Sequence, residues 1–150
     1  MRLFWVSRAR AAEACRRWHY THRLPVCPLN IFACVGDSGL LLGVVAYGLG
    51  TRGLGKSWGL SPVAVCELAR VALRPQEERG MPTSQIVAAS MRLLARHNPA
   101  LRLVFSYADP AQGHVGVLYQ SMNWVYIGRT PETRTYETPD GRMLHRRSVS

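Results

Sequence analysis

Residues 63–108 read VAVCELARVALRPQEERGMPTSQIVAASMRLLARHNPALRLVFSYA, and the order of patterns in this stretch decides the expected fold. Val63–Leu73 is mainly apolar and predicts a central strand. The polar segment Arg74–Pro82 predicts a loop, and Thr83–His97 places apolar residues at helical spacing. Leu101–Ala108 is again apolar and predicts a second strand. A strand, a helix and a second strand in this order are typical of an α/β protein.

The segments that follow this stretch continue the alternation of helices and strands. His114–Met122 predicts a short helix, and the apolar run Trp124–Arg129 predicts another strand. The tail suggests a final hairpin about Pro139-Asp140-Gly141, because these residue types favour turns.

The segments that precede it predict one helix and one hairpin. Ser7–Tyr20 has helical spacing, and Ser7 is expected to cap the helix. Ile31–Val35 and Leu40–Tyr47 surround a Gly-Asp-Ser-Gly turn and predict a hairpin. The glycine-rich segment Gly48–Pro62 predicts a loop.

Length and composition predict a single cytoplasmic domain over residues 1–150. No apolar run approaches the roughly 20 residues that a membrane-spanning helix needs, so no membrane is expected as a partner. The cysteines form no CxxC pair, and they are therefore expected to be free, buried thiols. They are Cys15, Cys27, Cys34 and Cys66.

The net charge of +10 indicates a polyanionic partner. Of the 19 basic residues, only Lys56 is a lysine, so nearly all of this charge is carried by arginine. The arginine guanidinium makes forked contacts to phosphate. The charge therefore favours binding to double-stranded DNA.

Four sequence segments carry a resemblance to a known family. They are WHYTHRLP at 18–25, CELARVAL at 66–73, ERGMPTSQI at 78–86 and SYADPAQGHVGVLYQ at 106–120. With these segments the chain resembles the Mom family of phage DNA-modification proteins. The order of its elements resembles the GNAT acyltransferase fold. The segment LYQSMNWVYIG at 118–128 is similar to the usual ending of that fold.

The resemblance implies both a fold and an activity. The fold is a GNAT-like α/β fold, with a mixed, splayed β-sheet flanked by helices. Members of the Mom family convert adenine in DNA to a carbamoylmethylated form, which shields phage DNA from restriction. The resemblance therefore implies a transferase that acts on the exocyclic amine of adenine, with DNA and a carbon donor entering from two sides of the splayed sheet.

The donor is left open, because one motif departs from the GNAT pattern. Typical members grip a pyrophosphate with backbone amides of R/Q-x-x-G-x-G/A at a helix N-terminus. This chain has a single glycine there, and a proline removes one amide donor. Acetyl-CoA or another acyl or aminoacyl carrier remains possible. The residues expected to bind it are Arg79, Gly80, Thr83 and Ser84, and Thr83 or Ser84 is expected to cap the helix.

The candidate catalytic residues follow from the same resemblance and from their positions. Asp109 directly follows a predicted strand, where a carboxylate can orient or deprotonate the adenine amine. Tyr119 matches the tyrosine that protonates the leaving group in the GNAT family. The remaining candidates are Ser106, Tyr107, Glu67, Arg70, His19 and Tyr20.

Strand alternation constrains two pairs of these candidates. Glu67 and Arg70 are three residues apart on a strand, so they face opposite sides unless a bulge intervenes. Ser106 and Tyr107 are adjacent, so at most one of them points into a given cleft.

A second set of residues is expected to bind DNA. Cations in loops and at helix ends can follow phosphates, and Trp58 can fill the gap left by an extruded base. The set is Arg16, Arg17, Arg23, Arg52, Lys56, Trp58 and His114. No metal site is predicted, because His19 and His22 have no evident third ligand.

Two other functions are compatible with the same sequence. One is a GNAT N-acetyltransferase that modifies a protein or a small amine, and it requires tight binding of acetyl-CoA. The other is a non-enzymatic phage DNA-binding protein, whose activity is indifferent to Asp109.

Overall fold

The computed structural model describes residues 1–26, 28–50, 53–130, 135–137 and 143–145. Three of the features predicted above, namely Cys27, Arg52 and the turn Pro139-Asp140-Gly141, lie outside these residues.

A five-stranded mixed sheet forms the centre of the described fold. Its strands pair in sequence order, antiparallel as far as the fourth and parallel between the fourth and the fifth. They are β1 Arg2–Trp5, β2 Pro28–Val35, β3 Leu41–Gly48, β4 Val65–Leu73 and β5 Leu103–Phe105. The predicted mixed α/β class is therefore confirmed.

Four α-helices, three short 3-10 turns and a separate hairpin complete the described elements. The helices are α1 Arg8–Trp18, α2 Gln76–Arg79, α3 Thr83–His97 and α4 Val117–Gln120. The antiparallel strands β6 Thr135–Glu137 and β7 Met143–His145 form the hairpin that the tail sequence predicted. Within the described ranges, no helix is both long and apolar enough to cross a membrane.

The two faces of the sheet carry different cores. α1 covers one face with the small residues Ala11, Ala14 and Cys15, which allow close approach of the helix to the sheet. α3 covers the opposite face with larger side chains such as Ile86 and Leu94. We call these the α1 face and the α3 face. Burying apolar side chains on both faces stabilises this three-layer arrangement.

The structure differs from the sequence predictions in three segments. β1 was not predicted, because its four residues show no strict alternation. The predicted loop Arg74–Pro82 contains α2, a single helical turn. Trp124–Arg129 is not a strand, and its apolar centre is exposed to solvent, with Val125 at 83 %. A local apolar run does not form a strand when no neighbouring strand pairs with it.

The helix caps were predicted correctly only in part. Ser7 caps α1 as expected, and its hydroxyl accepts a hydrogen bond from the Arg10 amide. The residue at the N-cap of α3 is Pro82, so the expectation of a cap at Thr83 or Ser84 was wrong. The Thr83 hydroxyl instead accepts a hydrogen bond from the Arg79 guanidinium.

β4 and β5 diverge, and this divergence positions the candidate site. Their pairing ends where Glu67 lies opposite Phe105, whereas β4 continues to Leu73. Immediately beyond the paired region, the Ser106 hydroxyl donates to the Leu68 carbonyl oxygen at 2.8 Å. Since β5 ends at Phe105, the predicted strand Leu101–Ala108 is longer than the observed one. The chain from residue 106 onwards leaves the sheet, and we call the space beside the part of β4 that β5 does not pair with the cleft.

Candidate functional site

The end of α1 brings two aromatic side chains to this cleft. His19 is the C-cap of α1 and has an extended backbone, so the chain leaves the helix axis there. The next residues turn back, with His22 in the left-handed region at φ 51°. His22 Nδ1–H donates to the Arg16 carbonyl oxygen at 2.8 Å, which closes the turn. His19 and Tyr20 are thereby presented beyond the helix.

Asp109 meets Tyr20 across 89 residues of sequence. The Tyr20 hydroxyl donates to Asp109 Oδ2 at 3.3 Å. The Ala111 amide donates to Asp109 Oδ1 at 3.1 Å, because Asp109 caps a short 3-10 turn at Pro110–Gln112. A carboxylate has about four lone-pair sites, so each oxygen retains room for a substrate donor.

Three rings join this contact. Tyr20 stacks on His19 with ring centres 4.4 Å apart. His114 approaches the Tyr20 ring edge-on, with centres 5.4 Å apart. The end of α1 and the segment between β5 and α4 therefore meet through aromatic contacts as well as through Asp109.

Burial and nearby charge set the protonation of two of these groups. Burial, and after it the Arg70 guanidinium, lowers the pKa of His19 to about 4. Burial, and after it the Asp109 carboxylate, raises the pKa of Tyr20. Both rings are consequently neutral at physiological pH.

A β-bulge brings Glu67 and Arg70 to the same face of the sheet. Leu68 pairs with Tyr47 and Arg70 pairs with the adjacent Ala46, so one extra residue lies between them on β4. Leu68 packs on the α3 face and Ala46 on the α1 face. Alternation then places both Glu67 and Arg70 on the α1 face. The sequence predicted opposite faces for these two residues unless a bulge intervened, and the bulge is present.

Glu67 is a half-buried carboxyl group. Burial raises its pKa, and the nearby Arg70 guanidinium partly opposes that rise. Within the described part of the chain, no hydrogen bond reaches the Glu67 side chain. Arg70 itself is fixed by donating to the carbonyl oxygens of Arg23 at 3.2 Å and Ala69 at 2.7 Å.

Tyr119 holds the divergence of the two strands in place. Its hydroxyl donates to Ser106 Oγ at 2.8 Å, because the Ser106 proton is directed to Leu68, and the Tyr107 carbonyl oxygen is a second, longer acceptor at 3.2 Å. Its ring packs against Trp124 with centres 5.2 Å apart. The Ser106 side chain is therefore bonded to both β4 and α4, and the exposed Tyr107 side chain packs on Phe105 instead.

The predicted donor-binding residues lie together at the start of α3, apart from the contacts just described. Arg79 donates to the carbonyl oxygens of Met81 and Arg74, both at 2.6 Å, and to Thr83. Gly80 ends α2 in the left-handed region at φ 62°. The half-buried Ser84 is in the first turn of α3, where no side chain caps the backbone amides.

The predicted DNA-binding residues occupy two regions. Arg16, Arg17 and Arg23 are exposed at the end of α1, and Arg17 also pairs with Glu13 at 2.7 Å. Lys56 and the half-exposed Trp58 lie on a 3-10 turn at Leu54–Trp58. His114 belongs instead to the Tyr20 cluster.

A separate groove of about 640 Å³ lies at the other end of the α1 face, and none of the predicted site residues lines it. Its lining is mainly apolar with two arginines: Arg2, Leu3, Phe4, Val6, Arg10, Ala33, Val35, Gly39, Leu41 and Val44.

In the described ranges, no three side chains of His, Cys, Asp or Glu are grouped to hold a metal ion. Three of the cysteines are free and buried as predicted, namely Cys15, Cys34 and Cys66.

Two residues that contact the site were not predicted. Thr21 contacts the His19 ring through its amide and its hydroxyl. Gly50, at φ 63°, lies so close to Phe105 and Glu67 that a side chain would not fit. The glycine-rich composition after β3 was a visible signal for Gly50, whereas a single threonine carries no comparable signal.

The fold and the site define a mixed α/β protein with an ionisable and aromatic cluster at the carboxyl ends of two parallel strands, and open α/β sheets commonly bind their ligands at such ends. The chain belongs to the Mom protein family, whose family profile matches residues 1–150. It is therefore a phage DNA-modification protein, which indicates an enzyme with DNA as its substrate. No curated protein matches the chain significantly.

Proposed function

We propose that this protein is a transferase on a GNAT-like scaffold that adds a carbamoylmethyl-type group to the exocyclic amine of adenine in double-stranded DNA. The modification protects phage DNA from host restriction. The observation that carries the proposal is the contact of Tyr20 with Asp109 at the cleft between β4 and β5. This contact places the Asp109 carboxylate, a proton acceptor, next to the aromatic rings of His19, Tyr20 and His114.

The rings suit an unpaired base. An enzyme that modifies adenine inside a duplex must extrude the base or take it from a single strand, and aromatic side chains then stack on it. Tyr20 is 42 % exposed although it stacks on His19 and contacts His114. Its remaining surface is open to a purine.

Asp109 supplies the proton acceptor. The adenine amine is a weak nucleophile, because its lone pair is delocalised into the ring. As its nitrogen forms a bond to the donor carbon, the carboxylate takes one proton from that nitrogen. The bond between the donor carbon and its carrier breaks at the same time, and the carrier leaves with the electron pair. The hydrogen bonds from Tyr20 and Ala111 hold the carboxylate in place for this step.

Tyr119 and Glu67 complete the proton transfers. The Tyr119 hydroxyl lies at the divergence of the strands and gives a proton to the leaving group. Glu67 has no hydrogen-bonded partner within the described residues, and its raised pKa brings it closer to the range of a general acid or base. Arg70 provides positive charge on the same face of the sheet.

The start of α3 is the proposed binding place for the donor's anionic group. The first amides of α3 have no side-chain cap, and the helix dipole favours an anion there. Arg79 contributes by bracing this loop through its contacts with Arg74 and Met81. Of the acyl and aminoacyl carriers, a glycyl carrier supplies the atoms of the product, because acetyl-CoA would give only acetyl-adenine. The glycyl amide forms first, and its free amine then displaces the original nitrogen at C6 of the adenine, with transfer of one proton to that nitrogen. This leaves a carbamoylmethyl group on the new exocyclic nitrogen.

The test is the chemistry of adenine in DNA from cells that express the protein. Nucleosides from that DNA are expected to contain a heavier adenosine by mass spectrometry. Carbamoylmethyl-adenine and glycyl-adenine have the same elemental composition, so the product must also be treated with alkali, which regenerates unmodified adenine from the glycyl form only. Unmodified adenine in the presence of folded protein would exclude the proposal.

Binding of DNA by the arginines at the end of α1 gives an independent prediction. Replacing Arg16, Arg17 and Arg23 by glutamine is expected to weaken binding to duplex DNA and to reduce its salt dependence. Each lost phosphate contact lowers the slope of log affinity against log salt by about 0.9. Fluorescence anisotropy over a salt series measures this slope.

A matched control lies on the opposite side of the molecule. Arg92 and Arg96 are exposed on α3, which covers the other face of the sheet. Their replacement by glutamine removes two positive charges, against three at the end of α1, and is expected to change the slope much less for each charge removed. Equal effects of the two sets of variants would show that DNA does not bind preferentially at the end of α1.

A further inference from the structure

Three consecutive large side chains, Val125, Tyr126 and Ile127, are exposed after α4, and we call them the apolar lip. Their exposed fractions are 83 %, 77 % and 60 %. Among the described residues, no strand pairs with the lip, no backbone hydrogen bond reaches it, and the Tyr126 hydroxyl has no partner. Contiguous exposed apolar surface of this kind marks an interaction site.

The base of the lip is fixed to the folded core and to the cleft. Trp124 packs against the core on the α3 face, and its amide donates to the Tyr119 carbonyl oxygen at 3.0 Å. The Tyr119 hydroxyl donates to Ser106, where the chain leaves β5. Asn123 follows the end of α4 in the left-handed region at φ 58°, so the chain turns there. The lip therefore projects from a fixed base next to the cleft.

The charge around the lip suits duplex DNA. Between Asp109 and Glu132 the sequence contains no acidic residue, and the exposed Arg129 follows the lip after a single glycine. A duplex has an apolar base stack and an anionic backbone, so it matches an apolar surface beside a cation. A second copy of a chain with a net charge of +10 would instead be repelled.

We propose that the apolar lip is a wedge that enters the base stack of duplex DNA and keeps the target adenine outside the duplex. This inference rests on the proposed function, because it supplies the step by which a paired adenine reaches the cleft. Proteins insert apolar side chains such as isoleucine between base steps, and aromatic rings stack on unpaired bases. Ile127 and Tyr126 are side chains of these two kinds. The sequence predicted Trp58 for this role, which makes Trp58 the alternative wedge.

Permanganate oxidation of thymine tests the wedge without any need for adenine modification. Permanganate attacks unstacked thymines, so the partner of an extruded adenine becomes reactive. The full chain is mixed with a long natural duplex, and the wild-type protein is expected to create reactive thymines. At equal occupancy of the DNA, Tyr126→Ser is expected to lower this reactivity about fivefold or more, as for the loss of one stacked ring. Tyr126→Phe keeps the ring and is expected to retain the reactivity.

The matched control is Val63→Ser, which is expected to behave as the wild-type protein. Val63 is 75 % exposed and precedes β4, at the opposite end of that strand from the cleft. The wedge would be overturned by a wild-type protein that creates no reactive thymines, or by equal effects of Val63→Ser and Tyr126→Ser. Loss of reactivity in Trp58→Ser alone would overturn it in favour of Trp58. A changed oligomeric mass of Tyr126→Ser with full thymine reactivity would assign the lip to a second copy.

Modification rates separate the wedge from the proposed function. On a matched duplex, Tyr126→Ser is expected to modify adenine about fivefold or more slowly than the wild-type protein. When the target adenine faces an abasic site, the two proteins are expected to be equally fast, because no base pair has to be opened. Equal slowing on both duplexes would overturn the wedge. Reactive thymines that depend on Tyr126, without any modified adenine, would support the wedge and exclude the proposed chemistry.

Discussion

The Asp109→Asn variant is expected to modify adenine about 10²- to 10⁴-fold more slowly than the wild-type protein, which is the usual contribution of a positioned proton acceptor. An asparagine oxygen can still accept hydrogen bonds from Tyr20 and Ala111, so the local structure should persist. The amide cannot take a proton from the adenine nitrogen. The rate is measured as the fraction of modified adenine over time in a defined duplex.

The control for this variant is Glu77→Gln. Glu77 is an exposed acid on α2, outside the cleft, and its replacement removes the same charge. Both variants should retain the wild-type melting temperature and the wild-type affinity for DNA. Wild-type modification by Asp109→Asn would exclude Asp109 as the proton acceptor and would favour Glu67, whose pKa is raised by burial.

The Gly50→Ala variant is expected to lose both stability and activity. A Cβ atom at this position would lie 2.8 Å from Glu67 Cβ and closer still to Phe105 Cζ. The left-handed backbone at φ 63° adds a cost of about 1–2 kcal/mol. Overpacking typically adds about 1–3 kcal/mol. Because the crowded neighbours end β5 and line the cleft, the displacement also moves the candidate site.

Gly53→Ala separates these two effects. Gly53 is also in the left-handed region, at φ 88°, but a Cβ atom there would contact nothing within 4 Å. The alanine at position 53 should therefore show the backbone cost alone. Denaturant unfolding measures both variants, and modification assays follow the site. Equal losses of unfolding free energy would contradict the close packing of Gly50 against Glu67.

The local patterns in the sequence were sufficient for most of the architecture. Helical spacing predicted α3 with its observed bounds, and the Gly-Asp-Ser-Gly turn predicted the hairpin of β2 with β3. These elements depend on residues that are close in sequence, where periodicity and turn chemistry act directly. The motifs at 18–25, 66–73 and 106–120 likewise pointed to the family that the profile match shows.

The sequence did not predict which segments form paired strands at the ends of the chain. Trp124–Arg129 has the composition of a strand, but it pairs with no described strand and exposes its apolar side chains. β1 is short and lacks alternation, but it is a strand because β2 offers a partner along its whole length. Strand formation depends on a neighbour elsewhere in the chain, which a local pattern does not contain.

By itself, then, the sequence determined the fold class, the basic charge, the family and the residue types that carry chemistry. Only the tertiary structure decided how those residues meet. A single extra residue in β4 brings Glu67 and Arg70 to one face, and a turn after α1 brings Tyr20 to Asp109. Local propensity acts over a few residues, whereas register and the packing of a helix end against a distant loop depend on the free energy of the whole folded chain.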